Sequence, residues 1–106
     1  MTTYLINSPI LTQYGDWRFE GPLTLEQTLA ILADDFISAV GHRATAQFLT
    51  QLLGIDVPEN RVRITMHSGD RAIVLRLNTR FEEGRILSAS ELAETDYELG
   101  LLTRIN

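Results

Sequence analysis

The period of hydrophobic and polar positions changes several times along this 106-residue chain, and each change marks a predicted element. "TTYLIN" (residues 2–7) alternates and is rich in β-formers, predicting a first strand that ends at Asn7, with Ser8-Pro9 as a break. "YGDWRFEGP" predicts turns at Gly15-Asp16 and Gly21-Pro22 around a short strand, Trp17 to Phe19. Thr24 is placed to cap "LEQTLAILADD", with Gln27 in the third position of a capping box and Leu25, Thr28, Leu29 and Leu32 on one helical face. "FISAV" (36–40) is a nearly continuous apolar run of the kind a buried strand gives. Gly41 permits a sharp turn after it, and "HRATAQFLTQLLG" returns to helical spacing through Ala44, Phe48 and Leu52, closed by Gly54.

Further on, "RVRITMH" (61–67) alternates strictly, with Val62, Ile64 and Met66 on one face and Arg61, Arg63, Thr65 and His67 on the other. "SGD" reads as a turn and "RAIVLRLN" as the next strand, which predicts a hairpin. "TRFEEGRIL" reads as a loop and "SASELAETD" as a short helix capped by Ser88 or Ser90, while "YELGLLTRIN" is an apolar segment of either type. The sum is one domain over residues 1–106, α/β in class and bordering on α+β, with a mixed sheet of about five strands flanked by two or three helices.

Composition narrows the chemistry. Hydrophobic residues make up 44% and charged residues 22%, as in an ordinary globular domain, and there is no cysteine. Thiolate catalysis, disulfides, Cys-ligated zinc and iron–sulfur clusters are therefore excluded. No apolar run approaches 18 residues and the start lacks signal-peptide features, so the expectation is a cytoplasmic protein with no membrane partner. The net charge of −5 argues against duplex nucleic acid as a partner, because that affinity needs many cation–phosphate contacts. Yet residues 36–80 hold six arginines against three acids, net +3, between acidic flanks, and the chain has no lysine. Arginine's planar fork suits phosphate recognition.

Only two histidines are present, His42 and His67. A pair of imidazoles could cleave RNA through the 2′-hydroxyl without a metal, because imidazole titrates near neutrality. His67, in "MHSGD", sits where a turn expects polar residues anyway. His42 opens a predicted helix, whose unpaired N–H groups favour an anion beside the ring. Taken alone it reads first as a polar residue that fell at a turn. "NTRFEEGR" adds Arg80 and Glu83, three apart: an arginine suited to the charge of a phosphodiester transition state, and a glutamate able to orient or accept the proton of an attacking hydroxyl. A surface ion pair is the plainer reading of that pair. No Walker or Rossmann glycine loop occurs, and no acidic spacing is diagnostic of a metal site.

In order and spacing, "LIN" (5–7), "AVGHRAT" (39–45), "NRV" (60–62), "GDRAIV" (69–74) and "RFEEGRIL" (80–87) resemble the small viral type III anti-CRISPR ring nucleases and their cellular CRISPR-associated relatives. The similarity spans nearly the whole chain, with G-H followed 38 positions later by R-x-x-E-G. This resemblance implies a five-stranded sheet flanked by helices, a homodimer, and cofactor-free, metal-independent cleavage of cyclic tetra-adenylate, which switches off type III CRISPR signalling. It implies His42 as the acid that protonates the 5′-oxygen leaving group, Arg80 and Glu83 as the residues that position the 2′-hydroxyl and the scissile phosphate, and Asn7 and Thr45 as ligand-binding residues, with Gly41 presenting His42. At the position of a family serine this chain has Ile10, which has no hydroxyl, so either Ser8 or Thr12 substitutes or the ligand affinity differs. Two other readings stand beside this one: a non-catalytic sponge or sensor for the cyclic ligand, and an accessory binding protein of a mobile element.

Overall fold

The computed structural model describes residues 2–7, 13–77 and 96–106. Among the described residues, five strands and two helices follow in the order β1 (Thr3–Ile6), β2 (Trp17–Glu20), α1 (Leu25–Leu32), β3 (Ile37–Ala39), α2 (Arg43–Leu53), β4 (Arg71–Leu77) and β5 (Tyr97–Arg104). The strands form one mixed sheet in the order β2-β5-β4-β1-β3. β1 runs parallel to both β3 and β4, and β5 runs antiparallel to β4 and β2. The domain is thus α+β, with a parallel half (β3, β1, β4) and an antiparallel half (β5, β2).

Alternation along the strands divides the core in two. Leu5, Ile73, Leu75 and Leu99 point to the face covered by the helices, where they pack with Leu32 of α1 and with Phe48, Leu49 and Leu53 of α2. Phe48 also meets Tyr97 edge-on, with ring centroids 5.2 Å apart, which fixes α2 against β5. Their neighbours Ile6, Ala72, Val74 and Leu102 point the other way and pack with Met66, Ile64, Trp17 and Tyr4.

Both helices begin and end for local reasons. The Thr24 hydroxyl accepts from the Gln27 N–H at 3.0 Å while the Gln27 side chain accepts from the Thr24 N–H at 2.9 Å, the reciprocal capping box that the sequence predicts. α1 stops at Leu32, short of the predicted 25–35, because Asp34 and Asp35 would sit unfavourably at the negative end of the helix dipole. α2 ends at Gly54, which turns left-handed (φ 69°) so that its N–H reaches the Thr50 carbonyl at 3.0 Å.

Two sequence expectations are corrected and a third, left open, is resolved. Residues 61–67 form no strand and no hairpin with β4: β1 and β5 already occupy both edges of β4, so no edge is left for them to pair with. The segment instead lies across the second face as irregular chain, keeping the alternation that buries Met66 and half-buries Ile64. Its backbone groups are met by side chains, the Met66 N–H donating to Gln13 Oε1 at 2.9 Å and the Met66 carbonyl accepting from Arg104. Second, "FISAV" gives a three-residue edge strand with Ile37 45% exposed, not a buried central one. Third, the 97–106 segment, open as to type, supplies β5, which joins the two halves of the sheet. The predicted helix at 88–96 falls almost wholly outside the described residues.

Candidate functional site at the carboxyl end of the parallel strands

β1, β3 and β4 point the same way, so the segments that leave their carboxyl ends emerge on one edge of the sheet. In open sheets with parallel strands this edge is where ligands bind. Asn7 follows β1 directly, half-buried. Gly41 and His42 lie two and three residues beyond Ala39, which is in register with Ile6. β4 also leads toward this edge. Its continuation carries Arg80 and Glu83, which, like Ser8, Ile10 and Thr12, lie outside the described residues.

His42 is the N-cap of α2, with extended backbone dihedrals (φ −126°, ψ 128°), and its carbonyl accepts the first helical bond from the Ala46 N–H at 3.0 Å. Its exposed side chain makes no capping hydrogen bond. Ser, Thr, Asp or Asn would normally satisfy the first-turn amides at this position. Among the described residues nothing bonds the ring, and the amides of Arg43, Ala44 and Thr45, which precede the first helical bond, have no acceptor. Thr45 sits one turn along on the same side of the helix as His42. No acidic residue occupies the first turn, and Arg43 is exposed.

Arg61 joins this edge, a placement that the alternation of 61–67 does not reveal. Asn60 is bound to the outer side of β3, its N–H donating to the Val40 carbonyl at 2.8 Å and its amide to the Ser38 carbonyl at 2.6 Å. The Ser38 hydroxyl donates to the Pro58 carbonyl at 2.7 Å. These bonds carry the next residue across Gly41, where a Cβ would come 3.6–3.7 Å from the Arg61 side chain. Gly41 itself has no left-handed dihedral, and the space beside it would accept a methyl group at ordinary contact. The entry into α2 therefore needs no glycine, contrary to the sequence expectation. The feature that could have flagged Arg61 is a hydrogen bond between residues 22 apart, which no local pattern encodes.

His67 lies at the other end of the sheet. It precedes β4, whose seven residues span roughly 20 Å at about 3.3 Å each. Within one chain the two histidines cannot act on one phosphate, which removes the paired-imidazole reading. His67 belongs instead to a structural cluster around Asp70, which is 5% exposed. Asp70 Oδ1 accepts from the Thr2 N–H at 2.8 Å, Oδ2 accepts from the His67 N–H at 2.8 Å, and His67 Nδ1 lies 3.6 Å from Oδ2. Burial alone would raise the Asp70 pKa. The hydrogen bonds from His67 and Thr2, with the nearby positive charge, outweigh it and hold the carboxyl below its usual 3.8.

Among the described residues no three His, Asp or Glu side chains converge as metal ligands, and no helix is long and apolar enough to cross a membrane. The arrangement defines a class first: a small α+β domain whose parallel-strand edge gathers a helix N-terminus, a free imidazole and two arginines, a setting suited to a phosphate-bearing ligand. The STIV B116-like family matches over residues 3–99, and the chain belongs to that family. It is 40% identical over 81 residues to uncharacterized protein 26 of a Sulfolobus islandicus filamentous virus, covering 74% of this chain and 69% of the viral one. An uncharacterized protein of Bacillus subtilis, YddF, is 33% identical over 109 aligned positions that span both chains fully. B116 of Sulfolobus turreted icosahedral virus shares the fold, with a TM-score of 0.73 at 22% identity over 98% of this chain and 100% of that one.

Proposed function

We propose that this protein is a ring nuclease that opens cyclic tetra-adenylate without a metal and so switches off type III CRISPR signalling. The observation that carries the reading is His42: an uncapped imidazole at the start of α2, beside free amides and Arg61, with no first-turn acid to repel a phosphate. The sequence motifs shared with viral ring nucleases, and membership of a family with viral relatives, support it.

In this mechanism the ribose 2′-oxygen attacks the adjacent phosphorus and the P–O5′ bond breaks. Glu83 orients the 2′-hydroxyl and takes its proton, Arg80 balances the charge that builds on the phosphoryl oxygens, and His42 gives its proton to the departing 5′-oxygen. The products are linear adenylates with 2′,3′-cyclic phosphate ends. Asn7, Ser8, Thr45 and the α2 amides hold the ring, and Arg61 adds a cation beside them. A tetra-anion of this size needs only a local basic pocket, which reconciles a net charge of −5 with a positive middle. The ring's two-fold symmetry suits a homodimer that places one His42 on each half.

The test is incubation of the purified protein with cyclic tetra-adenylate in excess EDTA, with products identified by mass. The expected result is a 2′,3′-cyclic phosphate product. Tight binding with no product over hours would replace this reading with a sponge or sensor. A salt-dependent interaction with duplex DNA and none with the ring would replace it with an accessory binding protein.

A further inference from the structure

α1 carries an apolar stripe that the fold leaves partly uncovered. Leu25, Thr28, Leu29 and Leu32 share a helical face, yet only Thr28 and Leu32 are buried, while Leu25 is 42% and Leu29 36% exposed. Leu29 leads into a cleft of about 310 Å³ where α1 ends and the chain leaves α2, walled by Leu32, Phe36 and Ile55 and rimmed by Asp34 and Asp35. From these observations we infer that this cleft is a docking site for a basic amphipathic segment of a partner protein, with an apolar side chain in the cleft and Lys or Arg on the rim.

Charge complementarity selects that occupant. Neither helix has a basic residue in its last turn, and the negative dipole end of α1, at Ala33 in the cleft lining, has no cation of its own there. Ala33 keeps right-handed dihedrals, so no left-handed cap closes α1 in the way Gly54 closes α2. Asp35 accepts from its neighbour's N–H through Oδ1 at 2.9 Å, leaving Oδ2 for a donor from outside. Neither aspartate forms a salt bridge among the described residues. A symmetric second copy is the wrong occupant, because a two-fold axis through this cleft would set Asp34 and Asp35 against their own equivalents. A guanidinium or ammonium flanking an apolar anchor satisfies the rim and the cleft together.

The experiment is selection of a random 16-residue phage-displayed peptide library on the full chain. Enriched peptides are then measured by fluorescence polarisation against wild type, Leu29→Asp and the double variant Asp34→Asn/Asp35→Asn. Expected are sequences with a Leu, Ile or Phe anchor flanked by Lys or Arg. Binding should be lost in Leu29→Asp and weakened about tenfold in the double variant, with a shallower salt dependence. Thermal melts identify folded variants, and the double variant decides the matter if Leu29→Asp fails to fold. No enrichment, enrichment of neutral or acidic peptides, or binding unchanged in the double variant would overturn the inference. So would a dimeric mass in solution that falls to one chain in Leu29→Asp, which would assign the cleft to a second copy.

Discussion

At the amino end of β4 the Asp70 carboxylate is buried and accepts two backbone N–H groups, while past the carboxyl end of β3 the His42 ring stands exposed with no bond to its own helix. Polar groups of the first end hold the chain together: Asp70 ties residue 2 to the 67–70 turn, and Arg104 holds the Met66 and Tyr14 carbonyls while lying 5.5 Å from the Trp17 ring centroid. The polar groups of the second end are held in place through backbone contacts and left unspent. Each end has a histidine, so residue type does not separate a structural role from a chemical one. What separates them is what surrounds each ring: the His67 ring, 80% exposed, stands beside the Asp70 carboxylate that fixes its own turn, whereas the His42 ring stands at a helix N-terminus close to Arg61.

Substitutions at the two ends should have different consequences. The largest effect is expected at the proposed functional end, where His42→Ala should lower single-turnover cleavage of cyclic tetra-adenylate by about 10²–10⁴-fold with an unchanged melting temperature. His67→Ala should leave cleavage within about twofold; an equal loss from both would collapse the distinction. At the structural end, Asp70→Ala strands two part-buried N–H donors and should cost about 1–3 kcal/mol in urea unfolding. Its pH signature has a definite sign. The folded-state pKa lies below 3.8, so the stabilisation is fully present above that value and is lost as pH falls through the folded pKa. Asp70→Asn should therefore flatten the acid limb of the stability curve, and an unchanged limb would remove Asp70 as its source.

Smaller effects probe the edge itself. Arg61→Ala should raise KM about tenfold with little change in kcat, as removal of a ground-state phosphate contact does. Gly41→Ala should change stability by less than about 1 kcal/mol, since its nearest new neighbours are atoms of the flexible Arg61 side chain at 3.6–3.7 Å. A collapse of folding in that variant would restore the glycine to the role the sequence suggests.

Much of the fold is legible locally. Thr24 with Gln27, and Gly54 after an amphipathic run, mark helix ends through chemistry contained within one turn. β1, β2 and β4 likewise follow from β-formers between breaks. "RVRITMH" fails for a reason outside itself: its alternation is real, but a strand needs a free edge, and β4 has none. β5 was ambiguous because apolar residues on both sides of "LGLL" fit a helix as well as a strand buried between two neighbours. Of the site, His42 at a helix start was readable from "VGHRAT", and Asn7 from the end of its strand. Their common edge follows from parallel pairing across residues more than 30 apart, and Arg61 arrives there through Asn60. Neither is written in a local period.

The role of His42 as a proton donor is tested most directly by a substrate that does not need one. Replacing the 5′-bridging oxygen of cyclic tetra-adenylate with sulfur gives a leaving group that departs as a thiolate without protonation. Single-turnover rates for wild type and His42→Ala on both substrates isolate the step. If His42 is the general acid, the about 10²–10⁴-fold gap on the oxygen ring should shrink to within about tenfold on the sulfur ring. A gap of the same size on both would contradict that assignment and leave His42 a ligand-binding residue.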